Sequence, residues 1–403
     1  MTVPPVAAIE GVVRDYAWGS TTSLQQLLGL PVDGNPAAEL WLGAHPDSPS
    51  LVPTEETTLD ALIGTDPAAA LGTDAVTRFG PRLPFLLKVL AAEKPLSIQV
   101  HPNLAQAREG FAREEADGLP RTAPHRNYRD ANHKPELLCA LSPFEALCGF
   151  RPVAETLRLL DALDLPGLIP VAELLRRRDG LKLAFTALLR DADPQALAYA
   201  VADAAPSLPP EWDGPKRAVA LAAAEFPGDV GVVLALLLNY VVLEPGEALY
   251  LGAGNVHAYL RGTGVEIMAN SDNVLRCGLT PKHIDVDELL RITDFTELDD
   301  PRWPAQTRGA LGRFVTPAPD FALAWIDADA EEQPLYRGVA QIVLCTSGTA
   351  EVRADGAVVA LTPGTAAFVP ASATAVVRSG DGGRVFVGSP ALPTPGAADR
   401  RGF

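Results

Sequence analysis

The sequence predicts a mainly β protein of two barrels, with an all-helical domain inserted into the first. Three observations carry this reading. Short strands and turns dominate residues 1 to about 100, and strands resume from Val242. Between Pro152 and Leu238 the pattern changes to Ala- and Leu-rich helical periodicity. Finally, Leu243-Glu-Pro-Gly-Glu-Ala-Leu-Tyr-Leu aligns with Leu361-Thr-Pro-Gly-Thr-Ala-Ala-Phe-Val, 118 positions later. The expected domains are a discontinuous β domain over 1–150 and 240–313, a helical insertion over 151–239, and a C-terminal barrel over 314–403. A chain of 403 residues is long enough for two or three such domains.

In chain order, helices are expected near 23–30, 60–63 and 67–79. Residues 84–90 read as a buried strand with one charge, Lys88. An isolated buried ammonium is costly, so this lysine either snorkels from an edge or faces a site. Residues 95–102 alternate, with Leu96, Ile98 and Val100 on one face and Ser97, Gln99 and His101 on the other. A helix over 104–117 follows, then a polar loop over 118–131 that could cover a site. Further helices are expected at 153–163, 171–178, 181–189, 194–204 and 215–224, separated by Pro and Gly clusters. Asp229 reads as the N-cap of a last apolar helix. After strands from 242, a loop over 268–281 leads to a capped helix near 285–293. The tail from 314 to 387 reads as many short strands with no helical period.

Composition narrows the partners. Hydrophobic residues make up 47% and charged residues 21%, as in a soluble globular chain. A formal charge of -17 argues against general binding to nucleic acid or an anionic membrane. An anionic ligand would need a local cationic site. Residues 1–5 lack the basic and apolar regions of a signal peptide, and the apolar run 230–243 contains Asn239 and is too short to span a bilayer. Cys139, Cys148, Cys277 and Cys345 show no C-x-x-C spacing, which points to free thiols in a reducing cytoplasm. The expectation is a cytoplasmic protein with a small-molecule partner, monomeric or weakly self-associating.

The polar residues of three segments suggest a metal site. Gln99 and His101, two apart on one strand, could close on a single cation with an amide oxygen and an imidazole nitrogen. Residues 132–137 place His133, Lys134 and Glu136 around a proline that favours extended backbone before it. Residues 245–259 read as a strand, a glycine-punctuated turn and then His257. This last segment has the spacing of a cupin half-motif, with Gly246, Gly254 and His257 in place. Gly252 stands where a proline is usual, and Arg261 where an asparagine often closes the motif. The two barrels are accordingly expected to be cupin-type jelly rolls. In the repeat His257 aligns with Ala375, and no histidine follows His283, so the second barrel should hold no metal. Gln99, His101, Glu136 and His257 together give a set of two nitrogens and two oxygens that suits zinc with one open position. His45 reads as a packing or supporting residue, His125 as solvated and His283 as part of a helix cap.

The segments KPLSIQVHP, HKPE, GNVHAYL and VEIMANSDNVLRCGLTPKHID, with RDYAWGS and AELWLGAHP near the N-terminus, together resemble the type I phosphomannose isomerases. The resemblance runs in order from about residue 9 to at least 300. It implies an aldose–ketose isomerase that interconverts mannose 6-phosphate and fructose 6-phosphate through a cis-enediol. It also implies one zinc per chain on the same four ligands, and a catalytic role for Arg276. The reaction needs positive charge at the developing enediolate and a proton carrier over C1 and C2. Candidates for the carrier are a metal-bound water, His133, Lys134, Glu266 and Asp272. Arg276, Lys88 and Lys134, with the Ser97 hydroxyl, could recognise the phosphate of a sugar phosphate. Trp18 is a further candidate for substrate contact and Glu39 matches a family motif, with packing the simpler role for both. Arg276 could instead form an i, i+4 salt bridge with Asp272. Other readings are an isomerase of unphosphorylated aldoses and a non-catalytic sugar-phosphate sensor. An iron cupin oxygenase is disfavoured by Gln99 in place of a histidine.

Overall fold

Two antiparallel sheets dominate the computed structural model, which describes residues 2–191, 193–327 and 332–391; residues 328–331 and 392–403 of the expected C-terminal barrel lie outside these. The larger sheet has 11 strands among the described residues. Its organising member is the 13-residue strand His257–Ala269. The first part of that strand pairs with Ile98–Val100 and Phe144–Phe150, and the second with Phe85–Ala92 and Glu136–Ala140. Gly262 sits at the changeover with φ of 132°, and a Cβ there would lie 2.8 Å from the Pro143 carbonyl oxygen. Only glycine lets the strand swing between its two sets of partners at this point.

Alternation along the strands gives this sheet two different faces. Leu40, Leu42, Leu87, Val89, Leu137, Val265 and Ile267 pack in one core with Ile342, Leu344, Phe368 and Phe386 of the second sheet. The opposite face carries Glu39, Trp41, Lys88, Glu266 and Glu136, and the register sets Trp41, Lys88 and Glu266 side by side on three neighbouring strands. A strand with apolar residues on one face and charges on the other is thus fixed in register, because a one-residue slip would exchange the two.

Helices Val153–Leu163, Ile169–Leu175, Gly180–Leu189, Pro194–Ala204, Asp213–Glu225 and Val230–Leu234 follow one another between the two halves of the larger sheet. Their apolar faces bury Ile98, Val100, Leu147, Phe150, Ala258 and Leu275. This packing directs Gln99, between Ile98 and Val100, to the opposite face. The Asp229 side chain accepts from the Gly231 N–H, as its expected capping role requires, and also from the Leu279 N–H. Among the described residues, no helix is long and apolar enough to cross a membrane.

The second sheet has nine strands among the described residues and is built on Gln341–Ala354 and Ala375–Ser389, 14 and 15 residues long. These long strands differ from the many short ones expected. Gly348, with φ of 62°, sits at a bulge where the register between them shifts. The internal repeat recurs in the backbone: strands Ala248–Leu251 and Ala366–Val369 follow Pro-Gly turns whose glycines, Gly246 and Gly364, have φ of 95° and 84°. Two strands depart from the expected division of the chain. Ala7–Ile9 pairs with Ala366–Val369, and Ala305–Arg308 with Leu311–Phe314, so both extend the second sheet. The first does so because Ala7 and Ile9 alternate into the core shared by the sheets.

Candidate active site

His101, Glu136 and His257 converge, all buried, with their ligand atoms within 4.8 Å of one another. Two backbone carbonyls set the imidazoles. The His101 Nδ1–H donates to the Asn273 oxygen at 2.8 Å, and the His257 Nδ1–H donates to the Asn255 oxygen at 3.0 Å. Each Nε2 therefore presents a lone pair. Both lone pairs face Glu136 Oε2, at 3.5 Å from His101 and 3.4 Å from His257. His101 Nε2 and Glu136 Oε2 are buried without a hydrogen-bond partner. Acceptor atoms facing one another in a dry interior repel unless a cation lies between them. Tetrahedral zinc, with ligand bonds of about 2.0–2.1 Å, separates its ligand atoms by about 3.3 Å, close to these spacings. The residues present fit a metal ion.

The fourth expected ligand lies beside them. Gln99 is in register with His257 on one side and Arg276 on the other, and its amide nitrogen is 3.3 Å from His257 Nε2. A flip of the amide would exchange this nitrogen for the ligating oxygen. Burial lowers the His101 imidazole to about 4, so it is neutral near neutral pH. Burial opposes ionisation of Glu136, yet Lys134 and His101 outweigh it and hold its carboxyl well below the usual range. Lys134 Nζ is 2.9 Å from Glu136 Oε1, which leaves Oε2 for the two imidazoles.

Lys88 neither snorkels from an edge nor stands free. Its strand is central, and its ammonium lies 3.4 Å from Glu39 and 3.2 Å from Glu266, over the Trp41 ring. Burial works against its charge, but the two carboxylates outweigh this and raise its pKa. Glu266 also accepts from the Tyr259 hydroxyl at 2.8 Å, and burial raises its pKa. Glu39 accepts from the Trp41 indole N–H at 2.7 Å, so it belongs to this charged network and is more than a packing residue. Trp18 packs at the margin of a core containing Leu90, Leu138 and Tyr259, stacked on Tyr16. Ser97, half-buried, precedes the strand that carries Gln99.

A second constellation surrounds Arg276. The buried Asn273 side chain accepts from the Arg129 N–H at 2.7 Å and donates to the Asp130 and Asn132 carbonyls, each at 2.8 Å. It thereby ties the loop before Glu136 to the segment that supports His101. Arg276 makes no ion pair with Asp272 or with any other described residue. Burial, and then the like charge of Arg129, lowers the Arg276 pKa; Arg276 in turn is the main cause of the lowered Lys282 pKa. Arg129 and Lys282 are exposed and also lack carboxylate partners among the described residues. Three mutually repelling cations held together form a ready anion site. Sequence reasoning missed Arg129 and Lys282: both occur in the segments it singled out, but the absence of a counter-charge is a property of the fold. Asp272 points toward His45, 3.7 Å away. His133 Nε2 lies 2.8 Å from Asp320 Oδ2, a partner with no local signal in the sequence. His125 and His283 are exposed and meet edge to face.

The family model for the phosphomannose isomerase type I catalytic domain matches residues 6–153. The mannose-6-phosphate isomerase of Salmonella typhimurium is 40% identical over 382 residues, covering 92% of this chain and 96% of the relative. Its Rattus norvegicus counterpart is 33% identical over 428 residues, covering 96% and 95%. Among solved structures, the Salmonella typhimurium enzyme bound to fructose 6-phosphate and zinc superposes with a TM-score of 0.89 at 38% identity, covering 96% of this chain and all of the other.

Proposed function

The chain belongs to the type I phosphomannose isomerase family, and from that premise we propose that it interconverts mannose 6-phosphate and fructose 6-phosphate with a zinc ion at its centre. The observation that carries this is the set of inward-facing acceptors on His101, Glu136 and His257, with the Gln99 amide beside them. These four residues would hold the zinc. When bound there, zinc supplies a Lewis acid that stabilises negative charge on oxygen as the substrate enolises.

The other residues divide the remaining work. Arg276, Arg129 and Lys282 bind the phosphate, which explains an unpaired cation cluster in a chain of charge -17. That cluster weighs against unphosphorylated aldoses as the preferred substrates. Lys134 holds the Glu136 carboxylate in its ionised, ligating form. Lys88, clamped by Glu39 and Glu266, keeps a fixed positive charge on the inner face of the sheet. Of the proton-carrier candidates, Lys134 and Glu266 are committed to ion pairs, whereas His133 keeps one ring nitrogen free. His133 therefore takes the proton from C2 of mannose 6-phosphate and returns it to C1 of the cis-enediol, while the proton of the C2 hydroxyl passes to the C1 oxygen, which gives the ketose. Asp272, half-exposed beside His45, can assist at the sugar hydroxyls.

We read the architecture as two cupin-type jelly-roll barrels with a helical insertion, the second barrel taking in 7–9 and 305–308. The internal repeat supports this. Four free buried thiols support a cytoplasmic, reducing location, and the net charge opposes nucleic-acid or membrane partners. We read the chain as a monomer or weak homo-oligomer. The direct test is an isomerase assay on the purified, zinc-loaded protein. Turnover of mannose 6-phosphate to fructose 6-phosphate is expected, and its absence would contradict the reading.

A further inference from the structure

We infer that Asp320 positions His133 for proton transfer, so that a residue from the loop between strands Leu311–Phe314 and Ala322–Asp327 of the second sheet completes the site of the first. The inference rests on the reading of His133 as proton carrier. Asp320 is 3% exposed, and its Oδ2 lies 2.8 Å from His133 Nε2. A carboxylate only accepts hydrogen bonds, so Nε2 must carry the proton. The lone pair is then on Nδ1, which makes no hydrogen bond among the described residues. A base needs that free lone pair.

The carboxylate is itself held in place. Phe321, next in the chain, is fully buried in the core shared by both sheets. On the other side, the Pro319 oxygen accepts from the Ala391 N–H at 3.2 Å. The two sheets pack through that core, so the position of Asp320 relative to His133 is set by their docking and not by a mobile side chain. An amide at 320 would keep the shape but change the chemistry. Its NH2 can donate to Nε2, which moves the ring proton to Nδ1 and removes the base.

The experiment compares Asp320→Asn, His133→Ala and the double variant, each checked for zinc content and thermal stability. Asp320→Asn should lower kcat by roughly 10- to 100-fold, with KM for mannose 6-phosphate changed less than about threefold. In the double variant the Asp320 substitution should add no further loss, because both changes disable one unit. Wild-type kcat in Asp320→Asn, or losses that multiply fully in the double variant, would overturn the inference. A fully active His133→Ala would remove the proton-carrier reading and this inference with it, while leaving isomerase activity itself intact. Should Asp320→Asn not fold, 15N spectra of the wild-type imidazoles decide: Nε2 protonated with Nδ1 unprotonated is expected, and the opposite tautomer overturns the inference.

Discussion

His257 and Ala375 open corresponding strands of the two sheets, 118 positions apart, and only the first brings a ligand atom. Ala375 lies in an apolar interior with Val343, Val352, Val377 and Val385. His257 lies among His101, Glu136 and Gln99. Matching positions of the repeat therefore lie in a cluster able to hold a metal in one sheet and in a packed core in the other.

From this contrast, the protein should hold one zinc per chain. Metal analysis after exhaustive dialysis should give one equivalent, and His257→Ala should abolish it. Two tightly held equivalents would show that the second sheet carries a site of its own.

Arg276 should act on the phosphate. Arg276→Ala should lower kcat/KM for mannose 6-phosphate by roughly 30- to 1000-fold, the equivalent of about 2–4 kcal/mol for a charge-assisted fork in a partly desolvated site. Its effect on free mannose should be small. The exposed Arg129 and Lys282 should cost less when truncated, about 3- to 10-fold each. Equal losses on both sugars would instead place Arg276 at the reacting carbons.

The cluster of His101, Glu136 and His257, with Gln99 beside it, was legible because its members lie in short local patterns. Alternation over 95–102 puts Gln99 and His101 on one face, and the Pro-Gly turn with its strand leads to His257. Such patterns say which way a side chain points but not what waits for it. Lys88 shows the limit: its sequence marks a charge in an apolar strand, whereas its partners Glu39 and Glu266 come from the two neighbouring strands. Asp320 reaches His133 across 187 positions and only through the packing of the two sheets. Likewise the strand Ala7–Ile9 joins the second sheet through an edge formed over 350 residues later, which no local pattern encodes.

Acid should weaken the zinc-free fold. The His101 pKa in the folded protein is about 4, below its ordinary 6.5, because burial disfavours the charged ring. Between those values the unfolded chain binds more protons, so stability is complete above about 6.5 and is lost as pH falls toward 4. The depressed Glu136 carboxyl acts in the same direction. Denaturant unfolding of the chelated protein should show a loss on the order of 3 kcal/mol across this window from His101 alone. A flat profile would mean that His101 is not held neutral by burial.

Reaction in heavy water should place deuterium at C2 of the mannose 6-phosphate formed from fructose 6-phosphate, as an enediol route requires. Exchange at C2 would exclude direct hydride transfer between the two carbons. Exchange confined to carbons other than C1 and C2 would contradict the enediol.

Isomerisation should depend on a zinc ion held by Gln99, His101, Glu136 and His257. The most direct test of this dependence is turnover of mannose 6-phosphate by the chelated protein during titration with zinc. Activity should be absent without metal and recover fully at one equivalent, and Glu136→Ala should fail to recover. A metal-free protein that turned over substrate at the full rate would contradict that dependence.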